Sequence, residues 1–201
     1  KIMIVSIHQP MHFPYMGFFQ KVELADLFIL LDDVQFSKND KYSFYNRNKF
    51  KNKNGQDEWF TVPVEKRANK KLIKDVLISE DFGWRKKLAK QMKQNFGNEF
   101  LDIYEGNKIV DVNVKSIKYC MNKLNINTEI VKSSDLNVSG FKSERLYNLC
   151  KKVGASEYVS GPFGKHYLDK DLFVDIKVKI FEPKVDNHYT ALTYFDNAEG
   201  K

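Results

Sequence analysis

The first third of the chain alternates between short apolar runs and polar breaks. Ile2–Ile7 is a continuous apolar run apart from Ser6, and it stops at His8-Gln9-Pro10. A run of this length, apolar on both alternating faces, predicts a strand buried on both sides. From Tyr15 the period changes to helical, with Phe18, Phe19 and Val22 on one face to about Ala25. Leu27–Leu31 is a second apolar run, and it ends in the acidic pair Asp32-Asp33. Strand, helix and strand with so short a second connection predict a right-handed β-α-β unit with parallel strands.

Further along, residues 34–56 are polar and turn-rich, and predict an irregular basic segment. Trp59–Val64 alternates and predicts a strand, as does Leu72–Ile78. Helices are expected over Asp81–Phe96, with Asp81 as N-cap and Gly97 as stop, and over Ile109–Leu124. A short strand at 128–131 is followed by a helix over Ser143–Val153, with Ser143 as N-cap and Gly154 as stop. Tyr158–Ser160 is a strand ending at Gly161-Pro162, Leu168–Val174 a helix and Val178–Phe181 a final strand. Helices alternating with strands indicate an α/β fold with a mostly parallel sheet flanked by helices. No Ser/Gly/Pro-rich linker divides the 201 residues, so one domain spanning 1–201 is expected.

Composition narrows the class. Apolar residues make up 42% and aromatics 14%, enough for a packed core. The longest apolar run, Leu27–Leu31, is far too short to span a bilayer. Cys120 and Cys150 fall on apolar helix faces, which fits free thiols in a reducing cytoplasm. The net charge is +7 and the isoelectric point about 9.2. The basic residues are mostly Lys and widely spread, and no nucleic-acid motif accompanies them, so a nucleic-acid partner is not expected.

The chemistry-bearing residues gather at strand ends. His8 directly follows the first strand, where an imidazole can take or give a proton near neutral pH. Gln9 beside it suits orienting a ligand. Asp32 and Asp33 end the neighbouring strand, and parallel strands place both ends on one edge; either carboxylate could orient His8 or hold a substrate amine. Gln35 is a companion. Asn46, Arg47 and Lys49 are phosphate candidates, Arg47 because a guanidinium grips phosphate bidentately, with Lys38 a further cation. Arg145 lies in the first turn of a helix, a poor place for a cation unless it meets an anion or a carboxylate. Ser160 ends a strand and could line the same cleft. His8 and His12 have the spacing of a helical metal pair, but Pro10 and Pro14 exclude a regular helix there, and no metal is expected.

Several blocks together resemble one family. They are His8-Gln9-Pro10, Phe13-Pro14-Tyr15-Met16-Gly17-Phe18-Phe19-Gln20-Lys21, Asp32-Asp33-Val34-Gln35-Phe36, Asn46-Arg47-Asn48-Lys49, Trp59-Phe60-Thr61-Val62-Pro63-Val64, Lys142-Ser143-Glu144-Arg145-Leu146 and Tyr158-Val159-Ser160-Gly161. The chain resembles the WbqC-like protein family over most of its length. His12 departs from the pattern, standing where an aromatic is expected, and the ending Tyr194–Lys201 lacks the expected apolar character, so a shortened C-terminus is expected. The resemblance implies a cytoplasmic enzyme of O-antigen or other surface-polysaccharide synthesis. It implies acyl or aminoacyl transfer, of a glycine type, to a nucleotide-linked amino sugar. The donor would be an amino acid activated with ATP, an aminoacyl-tRNA or an acyl thioester. On this reading His8, oriented by Asp33 or Asp32, deprotonates the amine, and Arg47 and Lys49 hold a phosphate. The first β-α-β unit also resembles adenylate-forming nucleotidylyl-transferases and so is Rossmann-like, although the stretch His12-Phe13-Pro14-Tyr15 replaces their His-x-Gly-His. Binding of a sugar nucleotide without catalysis is the third reading.

Overall fold

The computed structural model describes residues 2–37, 44–80 and 83–195. The chain divides into two compact units. The first contains residues 1–9, 17–33 and 126–186; the second contains 10–16, 34–125 and 187–201.

The first unit is built on five parallel strands, in the order β5-β2-β1-β6-β7. These are β1 (Ile4–His8), β2 (Leu27–Leu30), β5 (Glu129–Lys132), β6 (Glu157–Ser160) and β7 (Lys177–Ile180). The α/β class with a parallel sheet is therefore as the alternation predicts. Every residue of β2 is buried, which explains its unbroken apolar run. Val5, Ile7, Leu27 and Ile29 pack with Leu146, Leu149 and Cys150 of helix α4 (Lys142–Lys152) and with Tyr158, Phe173 and Ile176. On the other face, helix α1 (Met16–Glu23) sets Phe18 edge-on against Phe28, ring centres 5.2 Å apart. The α1-to-β2 turn is closed by Asp26, whose carboxylate accepts from the Ile4 amide at 2.8 Å. The Gln20 side chain pairs with both backbone groups of Lys184, pinning the segment after β7.

The second unit holds an antiparallel pair, β3 (Arg47–Lys51) and β4 (Asp57–Thr61), and helices α2 (Trp84–Phe96) and α3 (Ile109–Lys123). Its core is aromatic: Phe13, Phe50, Phe60, Phe96, Phe100 and Tyr104 meet mostly edge to face. Phe13 takes a positive φ of 41°. Buried polar groups hold that turn. Asn48 donates to the carbonyls of His12 and Phe13, Thr190 to that of Phe13, and the Phe13 amide donates to Ser116.

Several elements differ from the expectation. The basic segment is not irregular throughout, because Arg47–Lys51 forms β3. Leu72–Ile78 is not a strand; it folds as a 3-10 turn at Ile73–Asp75 with isolated bridges on either side. Leu168–Val174 is not one helix: helix α5 (Gly164–Tyr167) precedes it, and Lys170–Leu172 is a 3-10 turn. Phe141, not Ser143, occupies the N-cap of α4, and the Ser143 hydroxyl instead donates to the Tyr167 carbonyl and accepts from the Asp169 amide. Gly83, in a left-handed conformation, precedes α2; Asp81 lies outside the described residues. Cys120 and Cys150 are free and buried, and burial pushes the Cys150 thiol up to about 12. No helix among the described residues is long and apolar enough to cross a membrane.

Candidate functional site

The strand order of the first unit reverses at β1. The chain steps from β1 to β2 and β5 on one side, and β6 and β7 fill the other. Loops leaving β1 and β6 at their carboxyl ends therefore diverge, and this is where open parallel sheets form ligand crevices. His8 is the last residue of β1; Ser160 ends β6 and Gly161 follows it.

His8 is half-buried, with its ring edge-on to Phe18 at 5.3 Å. Its Nδ1 lies 2.9 Å from the Gln9 carbonyl. A carbonyl can only accept, so Nδ1 carries the proton and Nε2 presents a lone pair. Burial first, then the charge of Lys21, hold the imidazole down to about 3, so it is neutral at pH 7.

Lys21 was not among the residues singled out from the sequence. It is 4% exposed, and its ammonium donates to the Ile7 carbonyl at 3.0 Å and lies 5.7 Å from the centre of the Phe28 ring. No carboxylate forms an ion pair with it among the described residues. Burial brings its pKa down to about 7. The sequence carried a signal, since a lysine stands in the apolar phase of α1, between Phe18, Phe19 and Val22.

The two carboxylates engage the neighbouring strand end and α4. Asp32 is 1% exposed and accepts from the Ser133 hydroxyl and from both the amide and hydroxyl of Ser134. Asp33 pairs with Arg145 and accepts from Ser133 at 2.5 Å. Arg145 also donates to the Val138 carbonyl at 2.6 Å. The cation in the first turn of α4 thus meets a carboxylate. No hydrogen bond among the described residues links either aspartate to His8. Ser160 is buried, its hydroxyl tight against Gly164, where a Cβ would come within 2.2 Å of it.

In the second unit the ribbon sorts its residues by face. Asn48, Phe50 and Phe60 point inward, while Arg47, Lys49, Lys51, Asp57 and Trp59 share the outer face. The Arg47 guanidinium lies over Trp59 at 4.6 Å and forms no ion pair among the described residues. Lys49 is paired with Asp57 at 2.7 Å and sits near the rings of Trp59 and Tyr189. Asn46 is buried, its amide donating to the Val62 carbonyl. Gln35 is exposed and bonds the Asn69 carbonyl. Of the phosphate candidates, Arg47 is therefore the one whose charge meets no carboxylate among the described residues; Lys38 lies outside them.

His12 is sealed in this unit at 0% exposure, ringed by Phe13, Phe60 and Tyr104, with Nε2 3.3 Å from the Tyr104 hydroxyl. Burial holds it down to about 3. In the unfolded chain it titrates near 6.5, so its contribution is full above that pH and is lost as pH falls toward 3. The expected slope is about 1.4 kcal/mol per pH unit. Urea midpoints measured from pH 7 to 4.5 should show it added to the equal slope of His8, also held down to about 3, and His12→Phe should halve the combined slope. An equal slope in the variant would assign the acid sensitivity elsewhere.

The chain is 30% identical over 189 residues to the uncharacterized protein Rv1507c of Mycobacterium tuberculosis, covering 88% of this chain and 80% of the relative. No solved structure matches. Residues 9–195 match the WbqC-like protein family, and the chain belongs to that family.

Proposed function

We propose that the protein is a cytoplasmic transferase of surface-polysaccharide synthesis that moves an acyl or aminoacyl group, glycine in type, onto the amine of a nucleotide-linked amino sugar. The observation that carries this reading is His8: a neutral imidazole with its tautomer fixed by the Gln9 carbonyl, at the end of β1 where the strand order reverses. Its Nε2 lone pair takes the proton that the attacking amine must lose. The Gln9 carbonyl does the orienting, while Asp32, Asp33 and Arg145 hold the adjoining strand end in place. The second unit offers a face of its own. Arg47, held over Trp59, suits a phosphate-bearing ligand, because the guanidinium grips oxygen bidentately while the indole, itself stacked on Phe44, keeps it in place.

The test is a matrix of donors and acceptors read by mass spectrometry. Nucleotide-linked amino sugars are incubated with glycine and ATP, with glycyl-tRNA, or with an acyl thioester. A mass gain of one acyl group, dependent on the protein, is expected with one donor. Glycine-dependent exchange of pyrophosphate into ATP would select the adenylate-forming reading. Tight binding of the sugar nucleotide with no gain under any donor would replace catalysis by a binding role.

A further inference from the structure

The first unit holds a lysine whose surroundings lack one component. Lys21 donates to the Ile7 carbonyl and has no carboxylate partner among the described residues. From β1 the titratable group facing it is His8; β2 presents the Phe28 ring, and the turn after β6 presents Gly161. None of these supplies negative charge. A buried ammonium with one neutral acceptor is a costly arrangement unless an anion completes it.

Beside the amine the chain carries no side chain. A Cβ built on Gly161 would lie 4.0 Å from Lys21 Nζ, and no other heavy atom beyond its chain neighbours comes within 4 Å. The backbone of Gly161 is thus bare on the side of the amine. It follows the end of β6, next to the end of β1, where the strand order reverses.

We propose that Lys21 and the bare backbone at Gly161 form an oxyanion subsite at the β1/β6 strand ends, which takes a carboxylate or a phosphate of the ligand. The inference rests on the reading above in placing substrate at this edge. Binding there gives the ammonium its counter-ion. The anion also offsets the positive charge that Lys21 exerts on His8, which makes His8 a stronger base when the site is filled. Because burial leaves the amine half protonated near neutrality, anion binding at higher pH takes up one proton.

Acetate and sulfate serve as probes, since neither titrates between pH 7.5 and 9.5. Calorimetry on the whole chain is expected to show one of them binding, with affinity falling about tenfold per pH unit over that range. Acetate alone would mark a carboxylate subsite, and sulfate alone a phosphate subsite. Lys21→Met should abolish this binding while melting no lower than the parent, because it removes a buried amine. Gly161→Ala should weaken binding at least tenfold and stay folded: the added methyl meets the amine at ordinary contact distance, and this glycine is not in the left-handed region. If Lys21→Met fails to fold, Gly161→Ala decides. Absence of binding, binding unchanged in these variants, or binding lost in Arg47→Ala instead would overturn the subsite. Transfer that persists without anion binding would overturn the subsite and leave the transfer reading standing. A Lys21-dependent bound anion with no turnover under any donor would do the reverse.

Discussion

Asp33→Ala is expected to lower the stability of the protein by about 3–5 kcal/mol, as seen when one partner of a buried ion pair is removed. The side chains of Asp33 and Arg145 are 15% and 17% exposed. Without the carboxylate, the guanidinium keeps one carbonyl acceptor, that of Val138, and its Nε has no hydrogen-bond partner among the described residues. The charge would then be buried at a helix N-terminus, where the backbone dipole also opposes it. Arg145→Met should cost less, because the methionine fills the space and the remaining carboxylate keeps its bond from Ser133. The double variant should recover a large part of the loss. Denaturant midpoints for the four proteins give the coupling energy directly. A loss below about 1 kcal/mol for Asp33→Ala would mean that solvent screens the pair as it does at a surface.

The parts of the fold that were legible are those where one physical demand dominates. β1 and β2 are covered on both faces, so nearly every position had to be apolar. The Arg145 placement was readable in the same way, since an N-terminal cation asks for a carboxylate and Asp33 provides it. β3 was hidden because its signal is split. Its outer face is Arg47, Lys49 and Lys51, and one of its inner positions is Asn48, buried because it holds the turn at His12 and Phe13. That leaves Phe50 as the lone apolar mark of alternation. Leu72–Ile78 looked like a strand because apolar residues recur. The buried ones are Ile73, Val76 and Ile78, while Leu72 and Leu77 remain well exposed, a spacing that suits a turn.

The site was legible by strand end but not by partner. Sequence order places His8 and the aspartates after adjacent strands, yet it does not say which neighbour each will bond. Asp32 and Asp33 turn to Ser133, Ser134 and Arg145, which lie a hundred residues or more along the chain. His8 is served by the next residue in the chain. His12, at a position where the resemblance led to the expectation of an aromatic, is enclosed by aromatic rings, and its neutral imidazole packs there as an aromatic would.

His8→Gln is expected to slow transfer by about 10²–10⁴-fold, the usual contribution of a positioned general base. Glutamine is close to histidine in volume and can keep a bond to the Gln9 carbonyl, but its amide has no basic lone pair. The half-buried position, with one ring contact to Phe18, should tolerate the change with little loss of stability. Affinity for the amino-sugar nucleotide should stay nearly constant, so the effect falls on kcat. The wild-type pH profile supplies an independent check. An ordinary histidine base would add its own fall in kcat/KM near pH 6.5 to the one set by protonation of the substrate amine. The free enzyme's His8 is held down to about 3, so only the amine's fall should be seen from pH 5 to 7, and His8→Gln should keep its shape. A folded His8→Gln protein that turns over as fast as its parent would remove His8 from the mechanism.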